Sequence, residues 1–308
     1  MEDATTWEDD ALAGFESRPL GVATLVRATV QPASPRGAVL HVHGYNDYFF
    51  QEHLAEFFLE QGLAFYAVDL RRAGRSLREG DVPHLVSDID ELGDDIAAAT
   101  TAIEDVHPGL PLVVHAHSNG GLAAAIWASD RPAASLAGLI LDSPFFAAVA
   151  KRGHRVATRA VPMIARARPL AVLHQQPSHY ATRLLEPEGG AWEFDTTWKT
   201  PLGVPVRAGW LAAIRRAQAR VARGLDIRVP VLVARSHSSG PDHPDNPLLG
   251  FQDTVVDVRA IARHAQRLGT DVTEAVITGG VHELSLSSPV PRAAYLHAIR
   301  SWLPKAIP

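Results

Sequence analysis

The sequence predicts an α/β fold in which helices flank a mostly parallel, doubly wound sheet. Short apolar segments of strand length alternate along the chain with segments of helical periodicity. This alternation is typical of βαβ units, whose parallel sheet is covered on both faces. The chain has 308 residues, of which 46% are hydrophobic, so it is long and apolar enough to bury a large core.

Apolar runs bounded by glycine, proline or polar turn residues predict the strands of this sheet. The first two runs are separated by the turn-rich residues 31–36 and could pair as a hairpin. The predicted strands are residues 21–30, 37–42, 63–69, 112–115, 136–141, 229–234 and 272–277.

Apolar residues at helical spacing predict helices between these strands and at the end of the chain. One long amphipathic helix is stopped by the turn sequence His107-Pro108-Gly109. The predicted helices are residues 49–61, 86–106, 120–129, 151–168, 210–223, 254–268 and 291–302.

The alternation of strands and helices breaks down in residues 147–211, which are rich in proline and aromatic residues. Such an insertion is typical of a lid whose aromatic side chains line an apolar cleft, although the same side chains could anchor an irregular segment to the core. We predict a core of residues 1–146 and 212–308 and a lid of residues 147–211, called the cap below. The aromatic residues of the cap are Tyr180, Trp192, Phe194, Trp198 and Trp210.

Composition argues against several classes of function. The net charge is −5 and arginine is mixed evenly with acidic residues, so the chain has no basic stripe for nucleic acid and no polybasic membrane patch. The chain has no cysteine, which excludes disulfides, thiolate metal sites and a cysteine nucleophile. Residues 1–10 are acidic, unlike a secretory signal, and no run of about 18 apolar residues could span a bilayer. We expect a cytoplasmic protein without an integral membrane segment, and its oligomeric state stays open.

Residues 112–121 contain the most informative pattern in the chain, Leu-Val-Val-His-Ala-His-Ser-Asn-Gly-Gly. An apolar strand ends near Ser118, which lies between small residues, and an alanine-rich helix follows. A turn this tight pushes the serine side chain out of the sheet edge, which is the geometry of a nucleophile elbow. The usual pattern is Gly-x-Ser-x-Gly, and Ala116 replaces its first glycine. The alternative is an ordinary turn whose serine caps the helix.

A serine hydroxyl is a weak nucleophile at neutral pH, so it requires a base and a third group that orients the base. Functional groups of a doubly wound sheet gather beyond the carboxyl ends of its strands. His282 follows the last predicted strand on a loop that contains two glycines, and it is the best candidate for the base.

The orienting acid should come from the loop after the preceding strand, where Asp242, Asp245, Asp253 and Asp257 are candidates. We prefer Asp253, because it ends the loop and opens the next predicted helix. Asp242 and Asp245 lie among proline and glycine, and Asp257 falls inside that helix. A helix N-cap is the alternative role for Asp253.

Two backbone N–H groups are candidates for stabilising the tetrahedral oxyanion of such a reaction. One is the amide of Asn119, directly after the candidate nucleophile. The other is the amide of Tyr45, which follows a strand and Gly44, a residue that lets the chain turn back. Candidate substrate-binding side chains are Asn46, Trp192 and Trp198.

With these motifs in this order, the chain resembles the α/β-hydrolase fold, and within it the monoacylglycerol lipase and lysophospholipase-like branch of serine hydrolases, including the serine aminopeptidase type. The order Ser, Asp, His is that of the fold. The chain departs from the usual family pattern at Ala116 and at two further places. Arg72-Ala73-Gly74 replaces the more usual Arg-Gly-His-Gly, and the long loop of residues 236–252 lacks the compact acidic turn that is common after this strand. The motifs that carry the resemblance are His43-Gly44-Tyr45, residues 69–76, residues 117–121, residues 253–256 and Gly280-Val281-His282.

The resemblance implies a helical lid inserted after the sixth strand and hydrolysis of a carboxylic ester through an acyl-enzyme on Ser118. His282 would act as the base and Asp253 as the orienting acid. The implied partner is a small-molecule acyl ester, such as a monoacylglycerol or a lysophospholipid. No metal and no organic cofactor is implied.

Three other functions stay open. An amidase or aminopeptidase of the same fold would share the triad, and Glu186, Glu188 or Glu193 of the cap could bind its substrate amine. A member of the fold without activity would act as a binding protein. A metal hydrolase would use histidines two residues apart on a strand, which share a face, or a loop rich in histidine and aspartate. The candidate ligands are His41, His43, His115, His117, His237, Asp242, His243 and Asp245.

Overall fold

The computed structural model describes residues 6–149, 160–185 and 190–308 of the chain. Its strands are β1 (Glu8–Asp9), β2 (Phe15–Leu20), β3 (Ala23–Ala28), β4 (Gly37–Val42), β5 (Leu63–Asp69), β6 (Leu112–His117), β7 (Leu136–Asp142), β8 (Val172–His174), β9 (Val206–Arg207), β10 (Val231–Ser236) and β11 (Val272–Ile277). Its helices are α1 (Glu52–Glu60), α2 (Asp90–Val106), α3 (Ser118–Asp130), α4 (Val161–Ala167), α5 (His179–Leu184), α6 (Ala208–Arg223), α7 (Val258–Ala265) and α8 (Pro289–Ala306).

The main sheet has nine strands in the order β1-β2-β3-β5-β4-β6-β7-β10-β11. The strands from β5 to β11 in this order pair in parallel, and β1, β2 and β3 add an antiparallel edge. Every residue of β4, β5 and β6 is buried, as expected for central parallel strands that are covered on both faces. The predicted fold class, a mostly parallel sheet flanked by helices, is confirmed.

Neighbouring residues of each central strand pack against different helices, because successive side chains of a strand point to opposite faces. In β6, Leu112 and Val114 belong to a core layer that includes residues of α2 and α3. Val113 belongs to the opposite layer, which includes residues of α1 and α8. Two apolar layers therefore hold the sheet rigidly between helices, and the loops beyond its strands carry the polar groups described below.

The predicted hairpin between residues 21–30 and 37–42 is wrong. β3 pairs in antiparallel fashion with β2 on one side and with β5 on the other, so β5 separates it from β4. The partner segment β2 has the sequence Phe-Glu-Ser-Arg-Pro-Leu, whose polar residues and proline hide its strand character. Counted from β1, the cap follows the seventh strand, β7, and not the sixth.

The predicted helix at residues 254–268 begins later than expected. α7 begins at Val258, and the side chain of Asp257 caps it by accepting a hydrogen bond from the Arg259 amide at 3.0 Å. The residues before it form a turn around Asp253, which is favoured over helix because an aspartate can accept the amides that follow it. Asp257 is therefore the N-cap, and Asp253 does not open the helix.

The described part of the cap contains α4, α5 and a two-stranded antiparallel sheet of β8 and β9. Within the predicted helix at residues 151–168, the described residues form α4, and residues 151–159 lie outside the described part of the chain. The predicted end of the cap, residue 211, lies inside α6, and the division into core and cap stays a prediction. In the parts of the chain that the structure describes, no helix is both long and apolar enough to cross a membrane.

Candidate active site

Ser118 lies at the junction of β6 and α3, in a backbone conformation that is unusual for serine. Its φ angle is +51°, in the left-handed region that favours glycine. β6 ends at His117 and α3 begins at Ser118 itself, so the chain reverses within a single residue. Strain of this kind at a polar residue is typical of functional sites, where the surrounding structure maintains it.

Glycines allow the loop after β4 to pack directly on this turn. A Cβ atom on Gly44 would lie 3.0 Å from Cβ of Ser118, and a Cβ atom on Gly120 would lie 2.2 Å from the carbonyl oxygen of His43. Any side chain at either position would push the two segments apart. The loop that contains Tyr45 is thus held against Ser118 and the start of α3.

We expect Gly120→Ala to lower the free energy of unfolding by about 1–3 kcal/mol, the usual cost of overpacking. This loss opposes a gain of about 1 kcal/mol that alanine normally brings to a helix. The matched control is Gly121→Ala in the same turn, where the added Cβ would lie 3.1 Å from its nearest neighbour. Urea unfolding measures both variants, and equal stability of Gly120→Ala and the natural protein would contradict the packing described here.

Ser118, His282 and Asp253 form a continuous line of hydrogen bonds. Oγ of Ser118 lies 2.9 Å from Nε2 of His282, and Nδ1 of His282 lies 2.9 Å from Oδ2 of Asp253. Oδ1 of Asp253 accepts the amides of Val255 and Val256, both at 2.8 Å. The fully buried Asp253 carboxylate is therefore fixed at both oxygens, so its direction toward His282 is set by the backbone.

The other three aspartates considered for the orienting role lie in different environments. Oδ1 of Asp242 accepts the amide of Tyr180, Asp245 is exposed beside His243, and Asp257 caps α7. The structure thus brings Asp253, and none of these three, against His282.

One predicted oxyanion amide belongs to the residue that follows Ser118, and the other belongs to the residue that follows Gly44, which packs on Ser118. Asn119 lies in the first turn of α3, where backbone N–H groups have no partner within the helix. Tyr45 follows Gly44, and its side chain points into the cap. Its hydroxyl donates to the carbonyl oxygen of Pro205 at 3.3 Å, and its ring centre lies 4.2 Å from that of Trp210. The Tyr45 backbone directly follows Gly44, the residue that packs on Ser118.

A buried ionic cluster lies beside this line of hydrogen bonds. Nζ of Lys199, a cap residue, lies 2.7 Å from Oδ1 of Asp47 and 3.6 Å from Oε2 of Glu283. Burial and the charge of Asp47 raise the pKa of Glu283 to about 7. Burial alone would lower the pKa of Lys199, but its two carboxylate partners raise it above the ordinary value.

A second buried carboxyl group, Asp142, supports the loop that carries His282. It accepts the amide of Leu284 at 3.1 Å and the hydroxyl of Ser143 at 3.0 Å. Burial and the charge of Glu283 raise the pKa of Asp142 well above its ordinary value. Asp142 thus connects the end of β7 to the segment just after the proposed base.

The three side chains predicted to bind substrate make contacts between the cap and the core, and their role in substrate binding stays a prediction. Asn46 exchanges two hydrogen bonds with the backbone of Thr200, each 2.9 Å long. Nε1 of Trp192 donates to the carbonyl oxygen of Leu286 at 2.9 Å. Trp198 packs on Tyr48 and lines a cavity of about 220 Å³ whose lining residues do not include Ser118. In this conformation the cap aromatics act as anchors, which is the second of the two roles considered for them.

The histidines considered for a metal site are engaged with one another and with the backbone. Nδ1 of His41 lies 2.9 Å from Nδ1 of His115, and Nε2 of His43 accepts the amide of Leu70. Among the described residues, the group with three possible ligand atoms within 4.8 Å of one another is Asp47, His117 and Glu283. The Lys199 ammonium already pairs with two of these residues, so a divalent cation would have to displace it or lie beside its positive charge. Of the candidate amine ligands, Glu193 is exposed, and Glu186 and Glu188 lie outside the described residues.

The sequence analysis gave no role to Asp47, Lys199, Glu283 or Asp142. Two of them lay next to predicted site residues, since Asp47 follows Asn46 and Glu283 follows His282. The only signal for Lys199 was a lone lysine in an aromatic stretch of the cap, and sequence spacing does not reveal which cap residue reaches the core.

Comparisons with known proteins agree with this fold. The profile of the family described as "Serine aminopeptidase, S33" matches residues 33–287 of the chain. A curated relative, a monoacylglycerol lipase of Mycolicibacterium smegmatis, is 35% identical over 102 residues, which span 33% of this chain and 35% of that protein. The match thus covers about a third of the relative's length.

Several solved structures are similar over most of their length. A soluble variant of monoglyceride lipase from Saccharomyces cerevisiae, in complex with a substrate analog, has a TM-score of 0.70 at 16% identity and covers 98% of this chain and 95% of its own. The monoacylglycerol lipase of Paleococcus ferrophilus has a TM-score of 0.63 at 20% identity and covers 88% of this chain and 95% of its own. At such low identity, these similarities show the fold alone.

Proposed function

The chain belongs to the serine aminopeptidase S33 family of α/β-hydrolases, and on this premise we propose that it cleaves a carboxylic ester through an acyl-enzyme on Ser118. The observation that carries the proposal is the line of two 2.9 Å contacts from Oγ of Ser118 through His282 to the buried carboxylate of Asp253. A nucleophile, a base and an orienting group in hydrogen-bond contact are what an activated serine requires.

The reaction follows from these contacts. Nε2 of His282 takes the hydroxyl proton while Oγ of Ser118 attacks the ester carbonyl carbon, and the amides of Tyr45 and Asn119 stabilise the tetrahedral oxyanion. The imidazolium then gives its proton to the departing alcohol, which leaves an acyl-enzyme. A water molecule loses a proton to His282 and attacks the acyl carbon, and the serine is released with the carboxylic acid. Asp253 keeps Nδ1 protonated throughout.

The proposed substrates are acyl esters of small alcohols, such as monoacylglycerols or lysophospholipids. The similarity of the chain to monoacylglycerol and monoglyceride lipases supports this class. Ser118 and His282 are each only 4% exposed, so the proposed substrate would react in a largely enclosed site. The cytoplasmic location stays a prediction.

An aminopeptidase would need a free carboxylate for the substrate ammonium. Asp47 and Glu283, two of the carboxylates near His117, are already paired with Lys199. This pairing favours an ester that carries no positive charge near the reacting carbonyl group over an amino-acid amide.

A panel of substrates tests the proposed function. We expect turnover of p-nitrophenyl butyrate and of a 1-monoacylglycerol, and turnover of leucine p-nitroanilide at least about 100-fold slower, in line with the discrimination a site achieves when a charged group lacks its partner. Chelator treatment should leave ester hydrolysis unchanged. Faster turnover of the anilide would favour an aminopeptidase, and inactivity toward all esters of short and long chains would favour a binding protein.

A further inference from the structure

Lys199 is a buried lysine in the cap. It is one of three lysines in the chain and is 4% exposed, whereas the side chain of Lys305 is 49% exposed. An ammonium group loses its hydration when it is buried, so it is retained only where opposite charges replace the water. The position of Lys199 is therefore determined by its two carboxylate partners.

The two carboxylate partners belong to two different loops of the candidate active site. Asp47 lies two residues after Tyr45, and its Oδ2 accepts the amide of Gly44 at 3.4 Å. Glu283 directly follows His282, and its Oε1 accepts Nε2 of Gln51 at 2.6 Å. One ammonium thus connects the cap to the loop of the proposed oxyanion amide and to the loop of the proposed base.

This junction lies close to the reacting groups. A ring nitrogen of His117, the residue before Ser118, lies within 4.8 Å of the carboxylate oxygens of Asp47 and Glu283. The ring of His117 lies 4.7 Å from that of His282. A shift of either carboxylate would therefore be passed directly to the groups that surround Ser118.

We propose that Lys199 is a positioning residue whose ammonium holds Asp47 and Glu283 together. It thereby keeps the Tyr45 amide and His282 aligned with the hydroxyl group of Ser118. The role in catalysis rests on the proposed function, but the effect on the two loops does not. Without the ammonium, the two buried carboxyl groups lose the cation that joins them. They repel each other when both are ionised, and one of them takes up a proton otherwise, so in either state the attraction between their two loops is lost.

Neutral contacts beside this junction already fasten the cap, which distinguishes positioning from simple attachment. The backbone of Thr200, next to Lys199, exchanges two hydrogen bonds with the Asn46 side chain, and Nε1 of Trp192 donates to the carbonyl oxygen of Leu286. The ammonium adds an attraction between the two catalytic loops that these contacts do not provide. Its removal should therefore affect the alignment of reacting groups more than the attachment of the cap.

The experiment compares Lys199→Gln with Lys199→Arg, which keeps the charge, and with the matched surface control Lys305→Gln. We expect Lys199→Gln to lower kcat for p-nitrophenyl butyrate about 10- to 100-fold, with KM changed less than about threefold. A displacement of the reacting groups by about 1 Å lowers the rate by up to about this factor. Lys199→Arg should recover most of the loss, and Lys305→Gln should behave as the natural protein. Kinetics are measured well below the unfolding temperature of each variant.

A double variant, Lys199→Gln with Glu283→Gln, tests the repulsion between the Asp47 and Glu283 carboxyl groups. It also keeps the proposal testable if the single variant does not fold. It removes the ammonium and one of the two buried carboxylates, so we expect it to fold and to recover kcat relative to Lys199→Gln. Hydrogen–deuterium exchange of residues 43–51 and 281–287 should rise in Lys199→Gln and return toward the natural level in the double variant.

The exchange measurement needs no substrate, so the two proposals can fail separately. If the natural protein hydrolyses no ester, the proposed function fails, while faster exchange of both loops in Lys199→Gln still supports the positioning role. A folded Lys199→Gln variant with unchanged exchange in both loops would overturn that role. Unchanged kcat with a lowered unfolding temperature would also overturn it, because Lys199 would then only stabilise the fold.

Discussion

Ser118→Ala is expected to lower kcat for ester hydrolysis by about a millionfold, the loss seen when a serine nucleophile is removed from a triad. The change deletes the oxygen that contacts Nε2 of His282 and would attack the ester. Alanine is strained to a similar degree as serine at a φ of +51°, so we expect little change in stability. Steady-state kinetics with p-nitrophenyl butyrate and urea unfolding measure the two effects.

Ser143→Ala is the matched control for this prediction. Ser143 is also buried, has a φ of +47°, and follows a strand of the same sheet, but its hydroxyl donates to Asp142 and not to the proposed base. We expect this variant to retain activity within about tenfold of the natural protein, since it loses a single hydrogen bond. A Ser118→Ala variant that retains as much activity as Ser143→Ala would contradict the assignment of the nucleophile.

Asp253→Asn is expected to lower kcat by about 10⁴-fold, as the same exchange does in other triads. The surroundings of Asp253 dictate how the new amide is oriented. Oδ1 accepts two backbone amides, so the carbonyl oxygen of asparagine must take that place and its NH₂ group must face Nδ1 of His282. His282 would then carry its proton on Nε2 and could not accept the proton of Ser118.

Asp257→Asn is the matched control for the acid. Asp257 lies four residues further along the chain and caps α7, a role that asparagine also fills well. We expect this variant to keep both activity and stability. If Asp253→Asn hydrolysed esters as fast as Asp257→Asn, the orienting carboxylate would have to be a different residue.

The central part of the fold could be predicted because its signals are local. The strand at Leu63–Asp69 is a continuous apolar run, and such runs lie in the middle of a parallel sheet. β2 could not be predicted in this way, because it lies near the edge of the sheet, beside the two-residue strand β1, where polar residues and proline are tolerated. Its pairing with β3 depends on contacts between strands, which the pattern of a single segment does not contain.

The residues of the candidate site likewise divide into those with a local sequence signal and those without one. Ser118 and His282 were found because each follows a predicted strand with a recognisable turn. Asp253 was chosen for a wrong reason, namely that it opens a helix, although its carboxylate is fixed by a turn before α7. Lys199 was missed because its partners lie 152 and 84 positions away in the chain and only the folded cap brings them together.

The most direct test of the account is covalent labelling with a fluorophosphonate, which reacts with a serine only when a base and an oxyanion site activate it. Intact mass before and after labelling gives the number of groups bound, and peptide mapping gives their position. We predict one group per chain, attached to Oγ of Ser118, and no labelling of Ser118→Ala. An unlabelled natural protein, or a label on a serine other than Ser118, would contradict the account.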